Sequence, residues 1–236
     1  MGKAARTKRD RREGGPDGAP RTVVAHEPKR QLPVFWIVIG VLLLGGIVAL
    51  VATRPSDSDS AATKAAQGAP AFAEVEVTGD QVPAFTTGDD PAVGEQLPTI
   101  AGTSTDDGPI RLDAADGAQV IVTLAHWCPH CQAEVPRIVD WAKDGGLPDG
   151  VKITALSTAA SEDRPNFPPA AWLAKEAWPY ETMVDDEAGT AASALGVEGY
   201  PFITFVDADG TITERFSGEM PIDDFDDAVQ RIAPSA

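Results

Sequence analysis

Residues 119–143 constrain the fold of this chain more than any other stretch. Residues 119–125 (QVIVTLA) are apolar and β-branched, the pattern of a strand covered on both faces, and residues 132–143 carry the spacing of a helix. Between them lies Trp127-Cys128-Pro129-His130-Cys131, which holds the only two cysteines of the 236-residue chain. The whole thiol content therefore falls at one strand-to-helix turn, where two sulfurs at i and i+3 can meet.

The alternation continues on either side. The pattern predicts strands at 110–112, 119–125, 151–156, 181–184, 202–207 and 211–216, the last two joined as a hairpin across Asp209-Gly210. It predicts helices at 132–143, 170–178, 187–195 and 222–232. Strands interleaved with helices and closed by a hairpin imply an α/β fold, a three-layer sandwich around a mixed sheet. No internal repeat is visible.

Charge and hydropathy divide the chain. Residues 1–33 carry nine Lys and Arg against four acids, so this tail is near +5 while the remainder is near −22. Residues 34–52 (VFWIVIGVLLLGGIVALVA) hold no charge and would span about 28 Å as a helix, enough to cross a hydrocarbon core. The expected organisation is a disordered basic cytoplasmic tail at 1–33, a transmembrane helix at 34–52 and a flexible linker at 53–88. A globular α/β domain at 89–236 completes it. The basic flank places the tail in the cytoplasm and the acidic domain outside it, in a single-pass cell-membrane protein. A cleaved leader is the alternative, but its apolar core is usually shorter, about 7–15 residues, and no small-x-small site follows here at once. The acidic domain lacks the basic footprint that nucleic acid requires.

The spacing of the cysteines suits exchange chemistry. Cys128 would sit beside unpaired N–H groups at the positive end of the helix, which favour a thiolate, so Cys128 is the expected nucleophile. Cys131, one turn in, would attack the mixed disulfide and release the substrate. Pro129 suits the first helical position, and His130 adds a donor or partial positive charge near the Cys128 sulfur. A zinc site would draw on His126, His130 and His26, which do not have ligand spacing around the pair. A purely structural disulfide would close almost no loop and contribute little.

Three landmarks in order carry a family resemblance: Gly94-Glu95-Gln96-Leu97-Pro98, WCPHCQAEVP at 127–136, and LGVEGYPFITFVDADG at 195–210. Over these the chain resembles the thioredoxin superfamily, and more narrowly its TlpA/ResA-type membrane-anchored thiol-disulfide oxidoreductases. The resemblance implies that Cys128 and Cys131 form the redox-active disulfide, and that Glu134 is the acid near the buried cysteine. It also implies that Pro136 kinks the helix and that Pro201 is a cis-proline facing the disulfide, with the Tyr200 backbone turned toward it. Departures from the pattern are also visible. Val122 stands where thioredoxin has a buried aspartate, Tyr200 is bulkier than the usual residue before the cis-proline, and Pro129-His130 is similar to the dipeptide of the oxidant DsbA. Ala125 stands where a peroxiredoxin would need Thr or Ser, which argues against a peroxidase.

The expected function is disulfide exchange with exported protein thiols or disulfides, or with a membrane redox partner, in the oxidant direction. A TlpA/ResA-like reductant, for example in cytochrome c maturation, and a non-catalytic adaptor are the alternatives. No metal or organic cofactor is expected, and the domain is expected to be a monomer.

Overall fold

The computed structural model describes residue 66 and residues 68–234. The basic tail and the apolar segment 34–52 lie outside the described residues, among which no helix is long and apolar enough to cross a membrane.

Eight strands form one mixed sheet: β1 (Glu76–Thr78), β2 (Thr99–Ser104), β3 (Pro109–Leu112), β4 (Gln119–Leu124), β5 (Lys152–Ser157), β6 (Glu181–Val184), β7 (Phe202–Val206) and β8 (Ile212–Ser217). Their order is β1-β2-β6-β5-β4-β7-β8, with β3 also paired to β2. β5 runs parallel to β4 and β6, and the other pairings are antiparallel. The helices are α1 (Pro129–Lys143), α2 (Pro169–Lys175), α3 (Thr190–Ala194) and α4 (Ile222–Ile232). This is the mixed-sheet, thioredoxin-like sandwich expected from the sequence.

β4 is central, and its composition follows from that place. Successive side chains of a strand face opposite sides of the sheet. Val120, Val122 and Leu124 accordingly join one core with Val135 and Ile138 of α1, Leu173 of α2 and Phe225 of α4. Ile121 joins a second core with Ala191 and Ala194 of α3, Val82 and Leu97. A strand covered on both faces has no polar alternation left, which is why 119–125 reads as a continuous apolar run. At the hairpin, Gly210 has φ +80°, and a Cβ there would lie 2.3 Å from that of Ala114, so both backbone and space call for glycine.

Several boundaries differ from the sequence reading. α1 begins at Pro129 rather than 132, because Cys128 is the extended cap residue and proline fits the first helical position. α3 begins at Thr190 rather than 187, because the Asp186 carboxylate accepts from the Thr190 N–H and the Asp185 carboxylate from those of Ala191 and Ala192. β1 lies inside 53–88, the segment read as linker, and pairs Val77 with Ile100 of β2. Neither strand shows apolar periodicity. β2 (TIAGTS) is held by neighbours on both edges, β3 on one, β1 and β6 on the other.

Candidate active site

The C-terminal end of β4 delivers the chain through Ala125, His126 and Trp127 to Cys128, the cap residue of α1. Both cysteines are free thiols. Cys128 keeps 7% of its surface exposed while Cys131 keeps 0%. That difference orders the two sulfurs: an incoming disulfide can reach only the first. The Cys128 thiol donates to the backbone oxygen of Tyr200 at 3.4 Å, and the Ala125 N–H donates to the Cys131 sulfur at 3.5 Å. Burial pushes the Cys131 thiol far above its ordinary value. The Ala125 N–H opposes this in part, and Cys128 and Glu134 reinforce it.

The residues singled out from the sequence converge on this pair. The Tyr200–Pro201 peptide bond is cis, and the Tyr200 carbonyl stands against Cys128. Tyr200 is half-buried, its ring meeting that of Trp127 edge to face at 6.2 Å. Nearby, the Thr158 hydroxyl donates to the buried Asp185 carboxylate at 2.7 Å. Pro129 occupies the first position of α1, and Pro136 lies within it.

His130 is exposed, and its Nδ1 hydrogen-bonds Glu219 Oε1 at 2.6 Å. His126, weighed above as a metal ligand, has both ring nitrogens engaged. Its Nδ1–H donates to the Pro165 oxygen at 2.7 Å and its Nε2 accepts from the Ser161 N–H at 3.1 Å. Burial lowers its proton affinity, against the Pro165 bond, and keeps the ring neutral. It pins the loop 159–168, from which Arg164 lies 4.7 Å over the Trp127 ring and Ala159 accepts the indole N–H at 2.8 Å. Among the described residues no cluster of His, Cys, Asp or Glu is placed to hold a metal ion.

Glu134 lies one turn beyond Cys131 and is almost fully buried. Its Oε1 accepts from the Met220 N–H at 3.2 Å and its Oε2 from Arg137 at 2.6 Å. Burial raises its proton affinity, Met220 and Arg137 oppose this, and the negative charge of Glu219 adds to it. Arg137 also donates to Glu219 Oε2 at 2.6 Å.

Sequence reasoning missed Arg137, Glu219, Thr158 and Asp185. Arg137 was visible in principle, three residues from Glu134 and so on the same helix face. Thr158 and Asp185 follow the ends of β5 and β6, the strand ends beside which sites form in α/β sheets. Glu219 had no local signal, since only the return of β8 past α1 brings it to His130. A surface cavity of about 810 Å³ lies elsewhere, around Phe72–Glu76. Exchange between sulfurs needs an accessible thiol rather than a deep pocket.

Comparison with known proteins agrees with this geometry. The chain is 32% identical over 125 residues to the Thiol:disulfide interchange protein DsbE of Pseudomonas fluorescens biotype C, covering 52% of this chain and 62% of that protein. It is 35% identical over 105 residues to the protein of the same name from Haemophilus influenzae, covering 44% and 53%. The chain thus spans less than two thirds of the length of either. A solved structure of MTB dsbF, in mixed oxidized and reduced forms, aligns at a TM-score of 0.48 with 20% identity, over 56% of this chain and 94% of that one. The family model described as Redoxin matches residues 77–232, which include the dithiol, the cis-proline and Glu219, and the chain belongs to that family.

Proposed function

We propose that the protein is a thiol-disulfide oxidoreductase that reduces disulfides of exported proteins from a membrane-anchored, extracytoplasmic position. The Cys128 sulfur attacks a substrate disulfide, forming a Cys128–substrate bond and expelling the other substrate sulfur as a thiolate. Cys131 then attacks Cys128, the second substrate sulfur leaves, and the Cys131 proton passes to Glu134. Two electrons move from the dithiol to the substrate, and a membrane dithiol donor must return them. The tethered position rests on the apolar run 34–52 and its basic flank.

One observation carries the direction. The Glu134 carboxylate adds its negative charge at Cys131, and His130 is hydrogen-bonded to the Glu219 carboxylate. The oxidant expectation required His130 to stabilise a Cys128 thiolate. Here Glu219 engages the His130 ring, and burial and the Glu134 charge disfavour the Cys131 thiolate relative to the uncharged disulfide. That environment makes the reduced form the better electron donor. Equilibration of the full-length chain with glutathione buffers, followed by thiol trapping, tests this. A potential near that of thioredoxin, about −270 mV, is expected, and one near that of DsbA, about −120 mV, would assign the oxidant role instead.

Glu134→Gln tests the proton step. The variant keeps the shape but cannot take the proton of a thiol whose proton affinity burial has raised. The first attack, by Cys128, is expected to proceed at its normal rate. Release of the second substrate thiol is expected to slow by roughly a hundredfold, measured by stopped-flow absorbance. An unchanged second phase would remove Glu134 from the mechanism.

A further inference from the structure

A single guanidinium nitrogen serves two carboxylates at this site. Arg137 donates from the same nitrogen to Glu134 Oε2 and to Glu219 Oε2, each at 2.6 Å, and Glu219 is held on its other oxygen by His130. The side chains form a gradient outward from Cys131: Glu134 is 2% exposed, Glu219 35%, Arg137 38% and His130 66%. Residue 220 closes the arrangement from the backbone, its N–H on Glu134 Oε1. The turn between β8 and α4 is thus clamped to α1 at both carboxylates.

We propose that Arg137 and Glu219 are positioning residues that together set how readily Glu134 accepts the proton of Cys131. This rests on the reading of Glu134 as the proton acceptor given above. When Glu134 is charged, Arg137 divides its charge between the two carboxylates. When Glu134 takes the proton, its bond to Arg137 weakens, and Glu219 remains as a complete counter-charge for the guanidinium. Glu219 thereby lowers the cost of protonating Glu134, and Arg137 raises it.

The charged and titratable groups around Glu134 can be named by element. From α1 and its cap come Cys128, His130, Cys131 and Arg137, and from the β8–α4 turn comes Glu219. The core on which α1 packs, with Val122, Leu124, Ile203 and Phe205 of the sheet and Phe225 and Val229 of α4, is apolar. The direction found for Glu134, raised by burial first and by Glu219 as the like charge, agrees with this division.

The two partners therefore have opposite effects, which a merely structural role would not produce. The probe is 5,5′-dithiobis(2-nitrobenzoate), applied to the reduced full-length chain in detergent. Cys128 attacks its disulfide and releases one thionitrobenzoate. Cys131 then displaces the second, forming the Cys128–Cys131 bond and giving up one proton. The rate of the second release, recorded against pH, rises through the titration of Glu134. Glu219→Gln is expected to move that inflection to lower pH by on the order of one unit, since a like charge is lost and Arg137 serves Glu134 alone. Arg137→Gln is expected to move it to higher pH by a similar amount. Both shifts vanish in a Glu134→Gln background.

Inflections unmoved, or moved in the same direction, in the two variants would overturn the proposal while leaving Glu134 as acceptor. An inflection that persists in Glu134→Gln would overturn the acceptor reading itself, and the proposal with it. Arg137 and Glu219 are both partly exposed, so circular dichroism of each variant is expected to match wild type. If Arg137→Gln does not fold, the direction of the Glu219→Gln shift alone decides.

Discussion

Cys128→Ser is expected to reduce disulfide exchange to the rate without protein, whereas Cys131→Ser stops turnover by a different route. The reason is the unequal placement of the two sulfurs. Cys128 has the residual exposure and faces the Tyr200 carbonyl, while Cys131 is sealed beneath it against the Ala125 N–H. Without Cys128 there is no sulfur that a substrate disulfide can reach. Without Cys131 the first attack still occurs, but nothing inside the protein displaces the bound substrate sulfur. Cys131→Ser is therefore expected to accumulate mixed disulfides with exported proteins, visible as reducible higher-mass bands on non-reducing electrophoresis. Cys128→Ser is expected to form none. Adducts on Cys128→Ser and none on Cys131→Ser would reverse the assignment.

Asp90→Ala is expected to give the largest loss of stability. Arg215, on β8, has a side chain with 0% exposure, and Asp90 has 7%. The guanidinium Nε donates to Asp90 Oδ2 at 2.8 Å and Nη1 donates to the Leu195 oxygen at 2.8 Å, while the rings of Phe85 and Phe202 lie 5.8 and 5.7 Å away. One cation thus ties the segment before β2, the end of α3 and the strand that follows Pro201. Removing Asp90 leaves a buried charge without its partner, a change that costs about 3–5 kcal/mol. For a domain of this size the thermal midpoint should fall by roughly 6–20 °C. A drop within 2 °C of zero, by calorimetry, would mean that water or another acid replaces Asp90.

The same pair gives a pH dependence. Burial pushes the Asp90 carboxyl up, but the bonds from Arg215 and the Ala92 N–H outweigh it and leave the group below its ordinary value. The folded protein therefore binds this proton less tightly than the unfolded chain. The stabilisation is complete above the unfolded aspartate value of about 3.9 and is lost as pH falls through the lower folded value. Asp90→Asn is expected to flatten this acid limb.

The parts of the fold legible in the sequence are those in which one short stretch carries its own signal. β4 and α1 were readable because a strand buried on both faces has no polar residues and α1 packs an apolar stripe, Val135, Ile138 and Val139, on it. Proline after a cysteine at a strand end located the dithiol. β1 and β2 were not readable, since β2 is held by backbone pairing to three neighbours and β1 by pairing to β2, and strands held so need little apolar periodicity. At the site, Cys128 and Cys131 lie one helical turn apart and could be placed from spacing. Glu134, Pro201 and Tyr200 came only through the resemblance. Glu219 reaches His130 and Arg137 from more than eighty residues away, and Arg215 meets Asp90 at a separation of 125. No pattern along the chain encodes such meetings. The consequence was largest for His130, whose effect on the dithiol depends on a partner that the sequence does not reveal.

The most direct test is limited alkylation of the reduced full-length protein with substoichiometric iodoacetamide at neutral pH, followed by peptide mapping. The predicted result is label confined to Cys128, with Cys131 modified only after denaturation. Label divided evenly between the two, or appearing first on Cys131, would contradict the division of labour on which the proposed chemistry rests.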